Sequence, residues 1–393
     1  METQEKQKLE KNLKLYYWYS IFAEPLFWGP ILIIAIMKLG NMSLPHIYFM
    51  EAVVILGLIF LEIPTGALAD RIGRKRTMVL GGIFLILESI WFAAMNSPFD
   101  VWGANLTWVV GFVLCSGANS ALLYDSLKAL RREHEFKKFN GRALGAKLLV
   151  TAFTSLVAGF LAEIDLRLPM MLCVPGMFVS LGIVLKMYEP PITKKVQERG
   201  FVDIMKVSVL FVANNKSLKW IVLFSALLAT ASKVWFFTYN PYFELVELPV
   251  KYFGVLFFAL NIIAWIFSKY AHEIEKYIGE FRSILLMLFC VTVPVILMGT
   301  FVTVLAVPLV LIQNVKRGLF TPFVSDFIHK RIDSDVRATV DSIKSSVKGL
   351  SEFLGLALFG TLLTYVSLPT ALIVLGVVVA FFGLYAIDVY RRL

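Results

Sequence analysis

Several side chains able to carry a charge or a strong hydrogen bond stand inside long apolar runs of this sequence. An ionisable group at the centre of a bilayer costs at least about 2.5–3.5 kcal/mol on insertion scales, so each asks for a reason. Glu24 lies in "FAEPLFWGP" (22–30), beside a proline that removes a backbone donor and can kink a helix. Burial there suits a carboxylate to loading and releasing a proton near neutral pH, or to holding a cation. The alternative is a fixed ion pair with a base on another helix. Lys233 and Asn240 stand seven residues apart on one helical face. "QNVKRG" (313–318) places Gln313, Lys316 and Arg317 on shared faces by i,i+3 and i,i+4 spacing. These groups suit an anionic or zwitterionic ligand. The alternative has Arg317 paired with Glu352 or Asp326 while Lys316 reaches toward the membrane surface.

Other polar positions read as structural. Lys344, Lys348 and Glu352 follow an i, i+4, i+8 line, a stripe turned toward protein rather than lipid. Glu88 reads as a structural pairing. Glu51, Glu163 and Asp165 fall near the ends of apolar runs and are expected to reach headgroups or water. Tyr16, Tyr17, Trp18 and Tyr19 read as an interfacial belt. Trp28, Trp235, Phe236 and Phe237 could line an apolar cavity, with ordinary helix packing as the plainer reading.

Other chemistries find no footing. No G-x-x-x-x-G-K-[ST] loop is present, so this chain is not expected to use ATP. His46, His134, His272 and His329 are scattered, without metal-ligand spacing. No Ser-His-Asp or Cys-His arrangement can be assembled, and the chain is expected not to be an enzyme and to need no cofactor or metal. Cys115, Cys173 and Cys290 lie inside apolar runs, which argues against a disulfide framework.

One charged knot stands out. "GALADRIGRKR" (66–76) puts Asp70, Arg71, Arg74, Lys75 and Arg76 into seven residues, with Gly66 and Gly73 around them. Two helix ends approaching there would favour small glycines.

The elements that position these residues follow from hydropathy. The chain has 393 residues, 58% of them hydrophobic and 17% charged, and a mean hydropathy of +0.75. A soluble protein of this size needs far more polar surface. The apolar runs are about 20 residues long, the length of a membrane-crossing helix. Twelve spans are expected, at 15–38, 46–69, 77–97, 101–125, 143–164, 169–188, 218–241, 251–270, 283–301, 303–327, 341–365 and 369–390. With the N-terminus inside, cytoplasmic segments hold 29 Lys and Arg and external loops hold three. That asymmetry places both termini in the cytoplasm of a multi-pass plasma-membrane protein. It also accounts for the net charge of +10 through anionic headgroups, without nucleic acid. The "METQEKQKLEKNLK" start lacks a cleavable signal, so the first apolar run is expected to serve for insertion.

The polar interval 189–217 falls near the midpoint, and residues 201–213 could lie on the inner surface as an amphipathic helix. The expected domains are a six-helix bundle over 1–188, this linker over 189–217, and a second bundle over 218–393. "HEIEKYIGEFR" (272–282) echoes "ADRIGRKR", with its glycine shifted by one. Repeated halves of this kind are common among secondary transporters.

The knot, set inside twelve spans split six and six, resembles the loop 2–3 signature of the major facilitator superfamily, G-x-L-a-D-R-x-G-R-[KR]. Gly66, Leu68, Asp70, Arg71, Gly73, Arg74 and Lys75 match it. "EIPTG" (62–66), "SGANSALLYDSL" (116–127), "RGLFTPFVSD" (317–326) and "RATVDSIKS" (337–345) look like a prokaryotic, drug-efflux-like subgroup. The resemblance implies an all-α integral membrane fold of two pseudo-symmetric six-helix bundles. It implies an inner-gate latch in which Asp70 meets the start of span eleven, near Arg337–Ser342, and Arg74 pairs with Asp125 at the end of span four. Glu62 and Lys75 would belong to the same latch. It further implies that spans one, four, seven and ten line a cavity, which makes Glu24, Asn119, Lys233, Asn240, Gln313, Lys316 and Arg317 cavity candidates. Two departures stand out: span four carries no Arg and span five no Gly-Pro, both frequent among drug–proton antiporters.

The expected function is secondary active transport of a small molecule by alternating access, coupled to protons, with export of hydrophobic or amphiphilic compounds. Uptake of an anionic or zwitterionic metabolite on the same fold is the first alternative, and a non-transporting receptor or scaffold the second. The partners expected are the small-molecule substrate, protons and the lipid bilayer; the chain is expected to be a monomer and to bind no nucleic acid.

Overall fold

The structure, a computed structural model, describes residues 3–191, 212–332 and 337–393. No strand occurs among the described residues. Fourteen helices are numbered here in chain order: α1 (Thr3–Phe22), α2 (Leu32–Lys38), α3 (Leu44–Ile72), α4 (Arg74–Ala94), α5 (Pro98–Ala129), α6 (Phe136–Ile164), α7 (Arg167–Lys186), α8 (Lys216–Leu245), α9 (Lys251–Lys269), α10 (Ala271–Ile278), α11 (Glu280–Thr300), α12 (Leu309–His329), α13 (Arg337–Leu362) and α14 (Leu368–Arg391). Ten stretches of helix among the described residues are long and apolar enough to cross a membrane. The remaining two expected spans correspond to α1 with α2, and to α13, whose first turns carry Asp341, Lys344, Lys348 and Glu352.

Span one departs from expectation. One span with at most a kink at Pro25 is expected over 15–38, but α1 stops at Phe22 and α2 starts at Leu32. Pro25 and Pro30 each lack an amide hydrogen and disfavour a helical residue before them, so together they hold the backbone out of helix across Glu24. Elsewhere single prolines, Pro64 in α3 and Pro175 in α7, sit inside unbroken helices.

The chain divides into two compact units. Unit 1 comprises Met1–Met42, Gly57–Val196 and Pro249–Phe258; unit 2 comprises Ser43–Leu56, Gln197–Leu248 and Ala259–Leu393. By packing, then, the first part of α3 and the first part of α9 do not go with the sequential halves 1–188 and 218–393. The amphipathic helix expected over 201–213 lies, but for its last two residues, outside the described residues.

Within unit 1, α4 packs on α5 and α7, and α1 on α6. A Cβ on Gly81 of α4 would stand 2.8 Å from the carbonyl of Gly111 on α5. Such contact distances let the two backbones approach closely, the usual packing of membrane helices. Within unit 2, α11 packs on α14 and α8 on α13. Tyr48 of α3 belongs to this unit: its hydroxyl donates to the Val234 carbonyl of α8 at 2.6 Å, and its ring lies 5.0 Å from that of Phe359 on α13.

Each unit contains the same turn. Gly73 (φ +103°, ψ 154°) starts α4, and Gly279 (φ +84°, ψ 162°) starts α11. Both lie in the region that favours glycine. The echo between the two loops is thus a shared backbone conformation, although the residues around the glycines differ.

Candidate functional site

The unwound stretch of span one is held by one face of α6. Lys147 and Thr154 lie seven residues apart on that helix and point to one side. The Lys147 ammonium pairs with the Glu24 carboxylate at 2.5 Å, the two side chains being 22% and 49% exposed. Thr154 Oγ1 donates to the Leu26 carbonyl at 2.8 Å, satisfying a backbone acceptor that the break releases. Trp28 packs on Phe92 with ring centroids 4.9 Å apart. The fixed-pair arrangement is therefore the one found at Glu24, and Lys147 is its base. Sequence reading missed Lys147, although a lysine inside "GAKLLVT" was a signal that some carboxylate had to meet it.

A second set of polar groups lies in unit 2. Lys316 of α12 is only 3% exposed. Its ammonium donates to the Leu228 carbonyl at 3.0 Å and to Ser232 Oγ at 2.9 Å, both on α8, and stands 4.0 Å from the centre of the Phe320 ring. It is thus held across the helix interface rather than reaching for the surface. No carboxylate is among those hydrogen-bond partners; Glu352 acts on it electrostatically and is paired with Lys348 at 3.6 Å. Arg317 is exposed, and the partners considered for it are engaged elsewhere, Asp326 by Lys330 and Glu352 by Lys348. Gln313 is buried and accepts from the Tyr239 hydroxyl, which Asn314 also approaches at 3.4 Å. Thr230 Oγ1 donates to Ser351 Oγ at 2.8 Å and ties α8 to α13 beside this set. Lys233 is half-buried, with its ammonium 5.0 Å from the Phe237 ring centre. Asn240 is buried on the same helix. In unit 1, Asn119 is half-buried on α5.

Several expectations are corrected. Glu51 does not reach water: it is 7% exposed, and Lys233 is the charge that acts on it. Glu88 has no ion pair among the described residues; it is fully buried, accepts from Ser89 Oγ at 3.1 Å, and leaves Oε1 without a partner. Glu163 does meet protein, accepting from the Lys251 amide at 3.0 Å and pairing with the Lys251 ammonium at 3.7 Å. Trp28, Trp235 and Phe237, by contrast, are packed inside, which is the plainer of the two readings given for them. Of the expected aromatic belt, Tyr17 and Trp18 are exposed, whereas Tyr16 and Tyr19 are buried.

The charged knot forms the third cluster, at one end of unit 1. Arg74 pairs with Asp70 one turn earlier at 2.5 Å, and its Nε lies 3.6 Å from Asp125 at the end of α5. Glu189, which follows α7, accepts from the amides of Arg74 and Lys75 at 2.7 and 2.8 Å and so caps α4. Asn12 of α1 joins the same end: its Nδ2 donates to Ser126 Oγ at 3.0 Å and to the Tyr188 carbonyl at 2.8 Å, and its Oδ1 accepts from the Tyr188 amide. Glu189 and Asn12 were not singled out from sequence. Asp70, Arg71 and Glu62 are exposed. Gly66 lies inside the unbroken helix α3, with nothing within 4 Å of a Cβ built there, so close approach is found at Gly73 and not at Gly66. The Arg337 side chain lies outside the described residues.

Unit 2 repeats this end with the charges reversed. After Gly279 comes an acid, Glu280, and its partner is a base just beyond α12, Arg331 at 2.9 Å. Tyr390 of α14 donates to the same Glu280 oxygen at 2.7 Å. Lys330 pairs with Asp326 and stands 3.4 Å from Glu275 of α10. Burial pushes the Glu275 carboxyl above the usual carboxylate range, and the Lys330 charge partly offsets this. The hydrogen bond to Asp326 chiefly raises Lys330.

A bundle of long apolar helices, with charge pairs inside its spans and matching charged turns in both units, defines a polytopic α-helical membrane protein built from two related parts. The sequence matches the Major Facilitator Superfamily over residues 15–355, and the chain belongs to that family. It is 22% identical over 360 residues to an uncharacterized MFS-type transporter, YxaM, of Bacillus subtilis (strain 168), covering 88% of this chain and 86% of that protein. Among solved structures it resembles a point mutant of the nucleoside transporter NupG, with a TM-score of 0.80, 12% identity, and coverage of 98% and 99% of the two chains. It also resembles a bacterial homologue of the human lysosomal transporter Spinster, with a TM-score of 0.72, 13% identity, and coverage of 100% and 98%. These likenesses establish the major facilitator fold.

Proposed function

We propose that this chain is a secondary active transporter that moves a small solute across the membrane by alternating access. The observation that carries this reading is the Glu24–Lys147 pair at the break in span one. Non-helical backbone at membrane depth is tolerated where protein buries it or where it borders a water-filled cavity, and broken helices often carry the binding sites of transporters. Half of the Glu24 side chain is exposed. A proton or cation arriving at Glu24, or an anion arriving at Lys147, competes with the pair directly.

Glu24 is the group we assign to coupling, with a proton as the coupling ion. Asp70, Arg71, Gly73, Arg74, Lys75, Asp125 and Arg337 are assigned to a latch that closes when the protein is shut on the cytoplasmic side, with Glu62 at its margin. The subgroup resemblance favours export of amphiphilic compounds. A second reading, uptake of an anionic or zwitterionic metabolite, draws support from the basic excess in unit 2, where Lys233, Lys316 and Arg317 stand on α8 and α12.

The test is flux in proteoliposomes under an imposed pH gradient, after a thermal-shift screen has supplied a ligand. Gradient-driven flux that falls at least tenfold in Glu24→Gln supports the assignment. Flux of unchanged rate and gradient dependence in that variant removes Glu24 from coupling. Ligand binding with no flux under any gradient favours a receptor.

A further inference from the structure

We infer that unit 2 carries a binding groove for one anionic phospholipid, at the membrane face where α8 begins and α14 ends. The two helices meet there in opposite directions. Trp220 Nε1 donates to the Ala386 carbonyl at 2.6 Å, and the Trp220 ring lies 4.9 Å from that of Tyr390. Beside this contact a cavity of about 520 Å³ opens between the helices. That volume falls within the range of small-ligand pockets, about 300–1,000 Å³.

The polarity of the groove selects its occupant. Lys216 and Lys219 stand at one end, on one face of α8 by i,i+3 spacing, and both are exposed. From there the walls are apolar: Trp220, Leu223, Phe382 and Tyr385 line them, and the lining continues to Leu227. From Lys216 to Leu227 the groove runs roughly 16 Å along the helix axis, at 1.5 Å per residue. Leu223 is 54%, Phe382 52% and Tyr385 65% exposed, so the groove opens on the apolar outer face of two membrane-crossing helices. The Trp220 indole nitrogen is already satisfied by Ala386, which leaves the ring to present carbon to the cavity. Asp388, at the same end of α14, is paired with Arg392 at 2.5 Å.

A ligand matching this outline has an anionic head at the two lysines and a hydrocarbon chain lying along α8. An anionic phospholipid of the adjoining leaflet meets both requirements. A soluble anion would leave the apolar length unfilled, and a neutral phospholipid would leave the two ammonium groups unanswered. Juxtamembrane bases are worth enough near an anionic surface to change affinity about fivefold each.

The experiment is native mass spectrometry of the purified full chain, with dioleoyl phosphatidylglycerol and dioleoyl phosphatidylcholine supplied at equal concentration. Phosphatidylglycerol is expected to be retained in preference, by about 25-fold, the product of two fivefold effects. In K216Q/K219Q, which alters two exposed side chains and so leaves folding intact, that preference is expected to fall to near unity. Leu223→Trp fills the apolar length and is expected to lower retention while the lysines remain. Equal retention of the two lipids in the parent chain overturns the inference. So does a phosphatidylglycerol preference that survives K216Q/K219Q, displacement of the lipid by millimolar inorganic phosphate, or a dimer that masks the groove. None of these readouts depends on what the protein moves, so their outcome is separate from that of the transport reading.

Discussion

The space that Gly73 leaves is the space that the Glu189 carboxylate fills. A Cβ on Gly73 would stand 2.9 Å from Glu189 Oε2, and φ at Gly73 is +103°. With that space open, the carboxylate takes both the Arg74 and Lys75 amides at the start of α4. Loss of a cap costs about 0.5–2 kcal/mol. A negative charge at a helix start adds about 0.3–1 kcal/mol. Glu189→Ala is therefore expected to lower the melting temperature measurably in detergent, with Glu189→Gln intermediate. Gly73→Ala is expected to do more harm, because the left-handed backbone is strained as well. In the double variant the two losses should be less than additive, since the clash vanishes with the carboxylate. Strict additivity in a double-mutant cycle would show that the two residues act apart.

The Glu24–Lys147 pair should separate stability from transport. Both side chains are partly exposed, and exposed ion pairs contribute about 0–1 kcal/mol. Glu24→Gln and Lys147→Gln are accordingly expected to shift the melting temperature little. Flux is expected to fall tenfold or more in each, and the double variant to be no worse than the poorer single one. A melting temperature that collapses in both single variants would mean that the pair holds the broken helix together, with no separate role in coupling.

Most helices were legible in the sequence, because an apolar run of about 20 residues has few other fates. Pro64 and Pro175 were absorbed into helices, whereas Pro25 and Pro30 together stopped one. Membrane helices tolerate proline when neighbours satisfy the freed carbonyls. Here Thr154 does so from a helix more than 100 residues away, a relation that no local pattern contains. The same holds for Glu189: "EPP" marks the end of a span, but its capping role depends on a helix start 115 residues earlier. Glu51 and Glu88 were misplaced for a different reason. Their positions along the spans were legible, but which face of the helix was buried was not. The basic turn and its echo around Gly279 were both recognised by their residues, while the pairing of Glu280 with Arg331, a base 51 residues on, was not.

Glu275 gives stability a defined pH dependence. Burial raises its carboxyl in the folded protein above the usual value of about 4.3, so the folded state keeps its proton to higher pH than the unfolded chain does. Between the usual and the raised value the folded state binds more protons, and stability falls as pH rises through that window. Glu275→Gln removes the titration. The difference in melting temperature is expected to move in the variant's favour as pH rises from about 4 into the neutral range, and then to level off. Parallel profiles for parent and variant would exclude the buried carboxyl as the cause.

Lys316 offers the sharpest contrast between folding and function. Its ammonium is buried and its hydrogen bonds go to a carbonyl and a hydroxyl on α8, with no carboxylate among them. Removing a charge from such a place strands no opposite charge, and buried ionic groups replaced by apolar residues of similar size are often neutral or stabilising by about 1–4 kcal/mol. Lys316→Met keeps the length of the chain and its contact with Phe320. It is expected to melt at the parent temperature or above. Lys316→Ala loses the same hydrogen bonds and opens a cavity as well, and is expected to melt lower. If the charge is kept for handling an anionic solute, ligand affinity in Lys316→Met should fall about tenfold while its stability is preserved. A methionine variant that is stable and binds with unchanged affinity would assign the lysine to neither role, and a methionine variant that unfolds would make it a structural tie between α8 and α12.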